Sequence, residues 1–161
     1  MNLISHILPL QNVLLDLEAD SKKRVFERAG LIFENQNSLS RSAIIDSLTQ
    51  REKLGSTGLG QGIAIPHGRI KGLKEALGAF FRLASPIQFD APDGRAVNLI
   101  FVMLVPEQAN ESHLRLLSEL AQMFSDRAFR DDLLAADSAD TMHSLFVEWD
   151  PHAANERRST L

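Results

Sequence analysis

Cysteine is missing from the 161-residue chain, and with it go disulfides, thiolate nucleophiles and sulfur-ligated metals. That absence fits a reducing compartment. Met1-Asn2-Leu3-Ile4-Ser5-His6 has neither a basic opening nor a sustained apolar stretch, so no secretory leader is read there and the expected location is the cytoplasm. Long apolar runs are missing too: the longest, residues 99–105, is strand-sized and ends at Pro106, whereas a membrane-spanning helix needs roughly 20 residues. Nor is one sign of charge in excess. Seventeen basic and 21 acidic residues give a formal charge of -4 with the signs interspersed, and without a basic stripe a nucleic-acid partner is not expected. Internal repeats are absent. What is present, 44% hydrophobic and 24% charged residues, is the balance of one globular domain with its own core.

Apolar periodicity divides that domain. Val13–Leu17 reads as a strand, and Asp20-Ser21 as the start signal of a helix whose Val25, Ala29 and Ile32, with Phe26 and Phe33 beside them, recur at three and four up to about Asn35. Ser38 or Ser40 can cap a second helix with Ile44, Ile45 and Leu48 as its buried stripe, stopping at Gly55. Four glycines in residues 55–62 then mark a shaped loop. Ile63-Ala-Ile65 is a short strand cut by Pro66, which has no N–H and keeps Ile65 extended. Residues 77–83 and 97–105 read as strands, the second so continuously apolar that it belongs at the centre of a sheet, with a turn-rich connection over 86–94. Asn110 can cap a helix carrying Leu114, Leu117, Leu120, Ala121 and Phe124, and two short helices around Leu133 and over 142–147 close the domain. This imperfect alternation predicts an α/β domain with a mixed β-sheet flanked by helices on both faces. Residues 149–161 read as a flexible tail, leaving 1–148 as the domain.

The sharpest local feature is Gly60-Gln-Gly-Ile-Ala-Ile-Pro-His67-Gly-Arg69. Proline fixes the backbone on one side of His67 and glycine removes crowding on the other. Imidazole, with an ordinary pKa of about 6.5, is neutral and nucleophilic near pH 7, and one ring nitrogen can attack while the other is held. Phosphoryl transfer suits such a group, because the protein has mainly to position the partners and neutralise charge on three oxygens. The amides of Gly58, Gly60, Gly62 and Gly68 can supply donors in the manner of a backbone nest, and Arg51 and Arg69 can supply cations. His113, in the first turn of the helix starting at Asn110, is disfavoured as imidazolium there and can donate one hydrogen bond to a phosphoryl oxygen.

Plainer readings stand beside these. Arg51 can be a cation in the last turn of a helix, Arg69 a solvated surface residue and His113 a residue packed at a helix edge. His67 with His113 lacks a third ligand at helical or strand spacing, so no metal is expected. Residues 55–62 have neither the Lys-Ser/Thr ending of a P-loop nor a dinucleotide fingerprint. Leu59, apolar between two glycines, is expected to join a hydrophobic collar around His67 onto which a protein partner docks.

The run Arg51-Glu-Lys-Leu-Gly-Ser-Thr-Gly-Leu-Gly-Gln-Gly-Ile-Ala-Ile-Pro-His-Gly-Arg69 resembles the active-site signature of the enzyme IIA proteins of the phosphoenolpyruvate-dependent phosphotransferase system, fructose/mannitol class, and most of all their nitrogen-regulatory branch. The likeness spans residues 3–148 and includes Asp90-Ala-Pro-Asp-Gly and the His113-Leu-x-x-Leu-x-x-Leu-Ala pattern that follows Val105-Pro. It implies a mixed sheet flanked by helices, His67 phosphorylated by the phosphohistidine of an HPr-type carrier, and Arg51 and His113 beside it. It implies no bound coenzyme or metal, and regulatory targets such as potassium transport and signalling proteins. Sugar-transporting members work with a IIB domain bearing its own cysteine; this chain has none, so a free-standing regulator is expected. A sugar-specific IIA serving a separate IIB subunit, or an interaction module whose histidine is not phosphorylated, are the rival outcomes.

Overall fold

A computed structural model describes residues 2–108 and 111–151. Two 3₁₀ turns, Ile4–His6 and Leu10–Asn12, lead into β1 (Val13–Leu17), α1 (Lys22–Asn37) and α2 (Arg41–Leu54). Three short strands follow, β2 (Gly58–Gly60), β3 (Ile63–Ala64) and β4 (His67–Ile70), then the long strands β5 (Leu77–Ile87) and β6 (Val97–Pro106). The helices α3 (Glu111–Ser125), α4 (Arg127–Ala135) and α5 (Ala139–Glu148) complete the order.

The side chains that begin these helices do what capping requires. Ser21 Oγ accepts from Arg24 N at 3.2 Å, and Ser40 Oγ from Ala43 N at 3.3 Å. Of the two serines able to cap α2 it is therefore Ser40; Ser38 adopts the left-handed conformation that ends α1 instead. Asn110, expected to cap α3, lies outside the described residues, as does most of the expected tail.

The sheet runs β1-β5-β6-β3-β2, with β4 also paired to β6. β1 is parallel to β5, β5 antiparallel to β6, and both β3 and β4 parallel to β6, so the sheet is mixed. β6 is central, which explains its unbroken apolar run: Leu99, Phe101, Met103 and Val105 pack on α3, α4 and α5, while Ile100, Val102 and Leu104 pack on α1 and α2. Phe80 on β5 joins the first layer, its ring 4.8 Å from that of Phe146 on α5.

Two expectations are corrected. β5 continues four residues past Leu83 to Ile87, so that Pro86 and Ile87, expected to open the turn-rich connection over 86–94, are its last two residues. Proline is tolerated because the pairing with β6 is interrupted between Arg82 and Ile87, so no ladder donor is required of it. Residues 58–60, expected as loop, form an edge strand antiparallel to β3.

Candidate functional site

β3 and β4 lie end to end along one edge of β6, separated by Ile65 and Pro66. Proline offers no N–H, but its carbonyl accepts from Met103 N at 2.9 Å and carries the pairing across the break. Alternation along β4 then turns Gly68 and Ile70 towards α2 and His67 and Arg69 the other way. Gly68 is demanded by close approach rather than by backbone conformation: a Cβ there would overlap the Ser47 hydroxyl and lie 3.1 Å from Ser47 Cβ. Ser47 Oγ donates to the Arg69 carbonyl at 2.8 Å, fastening β4 to α2.

His67 opens β4 half-buried, with its Nδ1 2.9 Å from the Ile65 carbonyl. A carbonyl only accepts, so Nδ1 carries the proton and Nε2 keeps its lone pair. Burial lowers the His67 pKa, and the Arg51 charge lowers it further, against the opposing pull of the Ile65 hydrogen bond and the Glu52 carboxylate. The ring is thus held neutral, oriented and basic at Nε2.

His113, in the first turn of α3, meets it edge on, the ring centroids 5.5 Å apart. The residue is 9% exposed and its Nε2 has no hydrogen-bond partner among the described residues. Its pKa is lowered by burial first, then by the repulsion a second imidazolium beside His67 would meet, and by the Arg69 guanidinium. A buried ring nitrogen without a partner beside a second imidazole has hydrogen-bonding capacity to spare, as donor or acceptor according to its tautomer.

A pocket lined by Ser47, Gln50, Arg51, Leu54, His67, Gly68, Arg69 and His113 collects these groups between α2, β4 and α3. Arg51 spends one donor on its own helix end, Nη1 to Gly55 O at 2.9 Å, and Arg69 one on Glu107 O at 2.8 Å. Each guanidinium has five donors, so the helix-end reading of Arg51 and a role in the pocket are compatible. Ser47, Gln50 and Leu54 were not foreseen; with Arg51 they recur at three, four and seven, one stripe of α2 beside its buried one. Among the described residues no group of three His, Cys, Asp or Glu could hold a metal.

The glycine loop does something other than expected. Gly60, Gln61 and Gly62 take φ of +89°, +59° and +81°, but their surroundings belong to residues 91–98 rather than to the pocket. Asp93 accepts from Gln61 N at 2.9 Å and from Arg95 N at 3.1 Å, and these two amides hold its carboxyl below the usual carboxylate range. A Cβ on Gly60 would stand 3.1 Å from Asp93 Oδ2, one on Gly62 3.3 Å from Asn98 Oδ1, and one on Gly58 2.9 Å from Ala91 Cβ. Gly58, Gly60 and Gly62 do not line the pocket; they let the chain pack closely against residues 91–98, Gly60 against the Asp93 carboxylate, Gly58 against Ala91 and Gly62 against Asn98. Leu59, 48% exposed on β2, does not line it either, and the apolar side chain at the rim is Leu54, 84% exposed.

A mixed sheet between two helix layers, with a neutral, oriented imidazole at its edge beside two guanidiniums, defines a class: single-domain α/β proteins built around one histidine. Residues 6–149 match the family described as phosphoenolpyruvate-dependent sugar phosphotransferase system, EIIA 2, and the chain belongs to that family. It is 41% identical over 146 residues to the nitrogen regulatory protein of Pseudomonas aeruginosa, covering 90% of this chain and 95% of that one. The crystal structure of nitrogen regulatory protein IIA-Ntr from Neisseria meningitidis superposes with a TM-score of 0.85 at 53% identity, over 89% of this chain and 99% of that one. The Escherichia coli IIA mannitol structure shares the fold, with a TM-score of 0.72 at 21% identity over 85% and 96% of the two chains.

Proposed function

We propose that this chain is a phosphocarrier of the nitrogen-regulatory IIA type, and that Nε2 of His67 accepts a phosphoryl group from the phosphohistidine of an HPr-type carrier protein. The carrying observation is the bond from His67 Nδ1 to the Ile65 carbonyl, which leaves Nε2 as the basic atom of a pocket lined by two guanidiniums and a second imidazole. In the transfer the P–N bond to Nε2 forms as the P–N bond to the donor's ring nitrogen breaks, and the donor leaves with that electron pair. His113 Nε2–H donates to a phosphoryl oxygen, and Arg51 and Arg69 offset its charge. No metal or coenzyme takes part. Adding nearly two negative charges at the rim changes which protein surfaces are complementary, so the two forms bind regulatory targets differently. Potassium transport and sensor proteins are the class of target, and the cytoplasm is the compartment.

Incubation with phosphoenolpyruvate, enzyme I and the HPr-type carrier, followed by intact mass, tests this. The expected result is gain of one phosphoryl group, lost in His67→Ala and slowed about 100-fold in His113→Ala. An unshifted mass overturns the assignment in favour of a pure interaction module, and onward transfer to an added IIB subunit would favour the sugar-specific role.

A further inference from the structure

The carboxylate of Glu52 is buried next to the site without entering it. Its side chain is 7% exposed, it follows Arg51 directly, and it does not line the pocket. It accepts from Thr57 N at 2.8 Å and from Thr57 Oγ1 at 2.5 Å, with Lys22 Nζ at 3.4 Å as its counter-charge. From Thr57 the bonds continue: its carbonyl accepts from Ile65 N at 3.0 Å, and the Ile65 carbonyl accepts from His67 Nδ1 at 2.9 Å. Four residues thus link a fixed charge to the imidazole.

We infer that Glu52 is a positioning residue for the His67 nucleophile, acting through Thr57 and Ile65 to hold the ring in its Nδ1–H tautomer with Nε2 towards the pocket. The role in transfer rests on the phosphocarrier reading of His67. A carboxylate needed only to satisfy Thr57 would be a costly choice, since a hydroxyl or amide does the same with far less desolvation. Its two acceptor oxygens grip both the amide and the hydroxyl of Thr57, so that residue cannot swing, and with it the segment that presents Ile65 is held. The bonds on the two sides of Thr57, and of Ile65, involve different peptide groups. The action is therefore mechanical: it places the Ile65 carbonyl rather than polarising it. The same arrangement closes the end of α2 onto the strands that carry the histidine, because Glu52 belongs to α2 and Thr57 precedes β2.

Long-range ¹H–¹⁵N correlation of the His67 ring in the unphosphorylated protein reads the tautomer without any transfer. Near pH 8 the unaltered protein should show the Nδ1–H form alone. Glu52→Ala should show both tautomers in exchange and accept phosphoryl at least about tenfold more slowly. Glu52→Gln, which keeps one acceptor for Thr57 N but loses the second oxygen that grips its hydroxyl, should show a smaller tautomer mixture and a smaller loss of rate than Glu52→Ala. Thr57→Val removes only the hydroxyl contact and should give a smaller mixture; it carries the test if Glu52→Ala does not fold. A folded Glu52→Ala protein with a single Nδ1–H tautomer and full acceptance overturns the inference. An unaltered protein that gains no phosphoryl group, yet whose tautomer still responds to Glu52→Ala, removes the phosphocarrier reading and leaves the positioning role of Glu52 standing.

Discussion

Gly68→Ala tests whether β4 and α2 set the site together. The strand has no slack at this residue: the added methyl overlaps the Ser47 hydroxyl and stands 3.1 Å from Ser47 Cβ and 3.2 Å from the Ser47 carbonyl carbon. Only the hydroxyl can be removed without moving backbone. Overpacking of this kind costs about 1–3 kcal/mol, which in a domain of this size corresponds to a fall of roughly 2–12 °C in Tm. The functional loss should be larger in proportion, because Gly68 sits between His67 and Arg69 and a displacement of about 1 Å at a reacting atom can cost about 100-fold in rate. Ser47→Ala alone loses the bond to the Arg69 carbonyl, worth about 1 kcal/mol. The double variant relieves the worst overlap, so its destabilisation should fall short of the sum of the singles by about 0.5–3 kcal/mol. Urea titration of the four proteins gives the coupling, and timed phosphorylation gives the rate. Strict additivity, or a Gly68→Ala protein of full stability and full rate, would refute the packing account.

Acid sensitivity follows from the two histidines. Burial holds both pKa values below the ordinary imidazole value of about 6.5. Above that pH neither the folded nor the unfolded chain binds these protons, and stability is unaffected by them. As pH falls through about 6.5 the unfolded chain takes up protons that the folded chain refuses, so stability declines until the folded values are reached. Urea midpoints between pH 8 and pH 5 should therefore flatten in His67→Gln/His113→Gln, and an unaltered slope in that variant would sink the assignment. Arg82, whose side chain is 12% exposed, donates through Nη1 to the carbonyls of Leu133, Leu134 and Ala136 and closes the end of α4. Arg82→Met should cost about 2–3 kcal/mol in chemical unfolding, and Arg82→Lys should not restore it, because an ammonium lacks the planar fork. Leu54→Glu should leave stability within about 0.5 kcal/mol, the side chain being exposed, yet slow acceptance from the donor protein; Leu59→Glu, away from the pocket lining, should slow it less, and the reverse order would restore the Leu59 collar.

Much of this arrangement was legible in the residues, and the exceptions have a common physical cause. The run over 97–105 announced a strand covered on both faces, because only burial on both sides tolerates apolar residues without alternation. Ser21, and Ser38 or Ser40, announced helix starts, since a cap acts on an amide two or three residues away, and the choice of Ser40 came from the fold. Pro66 announced the break that delivers His67. The surroundings of the glycine loop were not legible. Glycines report that a backbone can bend and be approached, not what approaches it, and the group that does is Asp93, 32 residues beyond the amide of Gln61 that it binds. Pro86 misled in the same way, for whether a missing N–H matters depends on the opposite strand. The bond from His67 Nδ1 to the Ile65 carbonyl spans two residues and was still invisible, because every residue carries a carbonyl and which one meets the ring depends on the fold. The candidate histidine was thus a local property of the sequence, whereas the hydrogen bond that orients its ring depends on how the chain folds around Pro66.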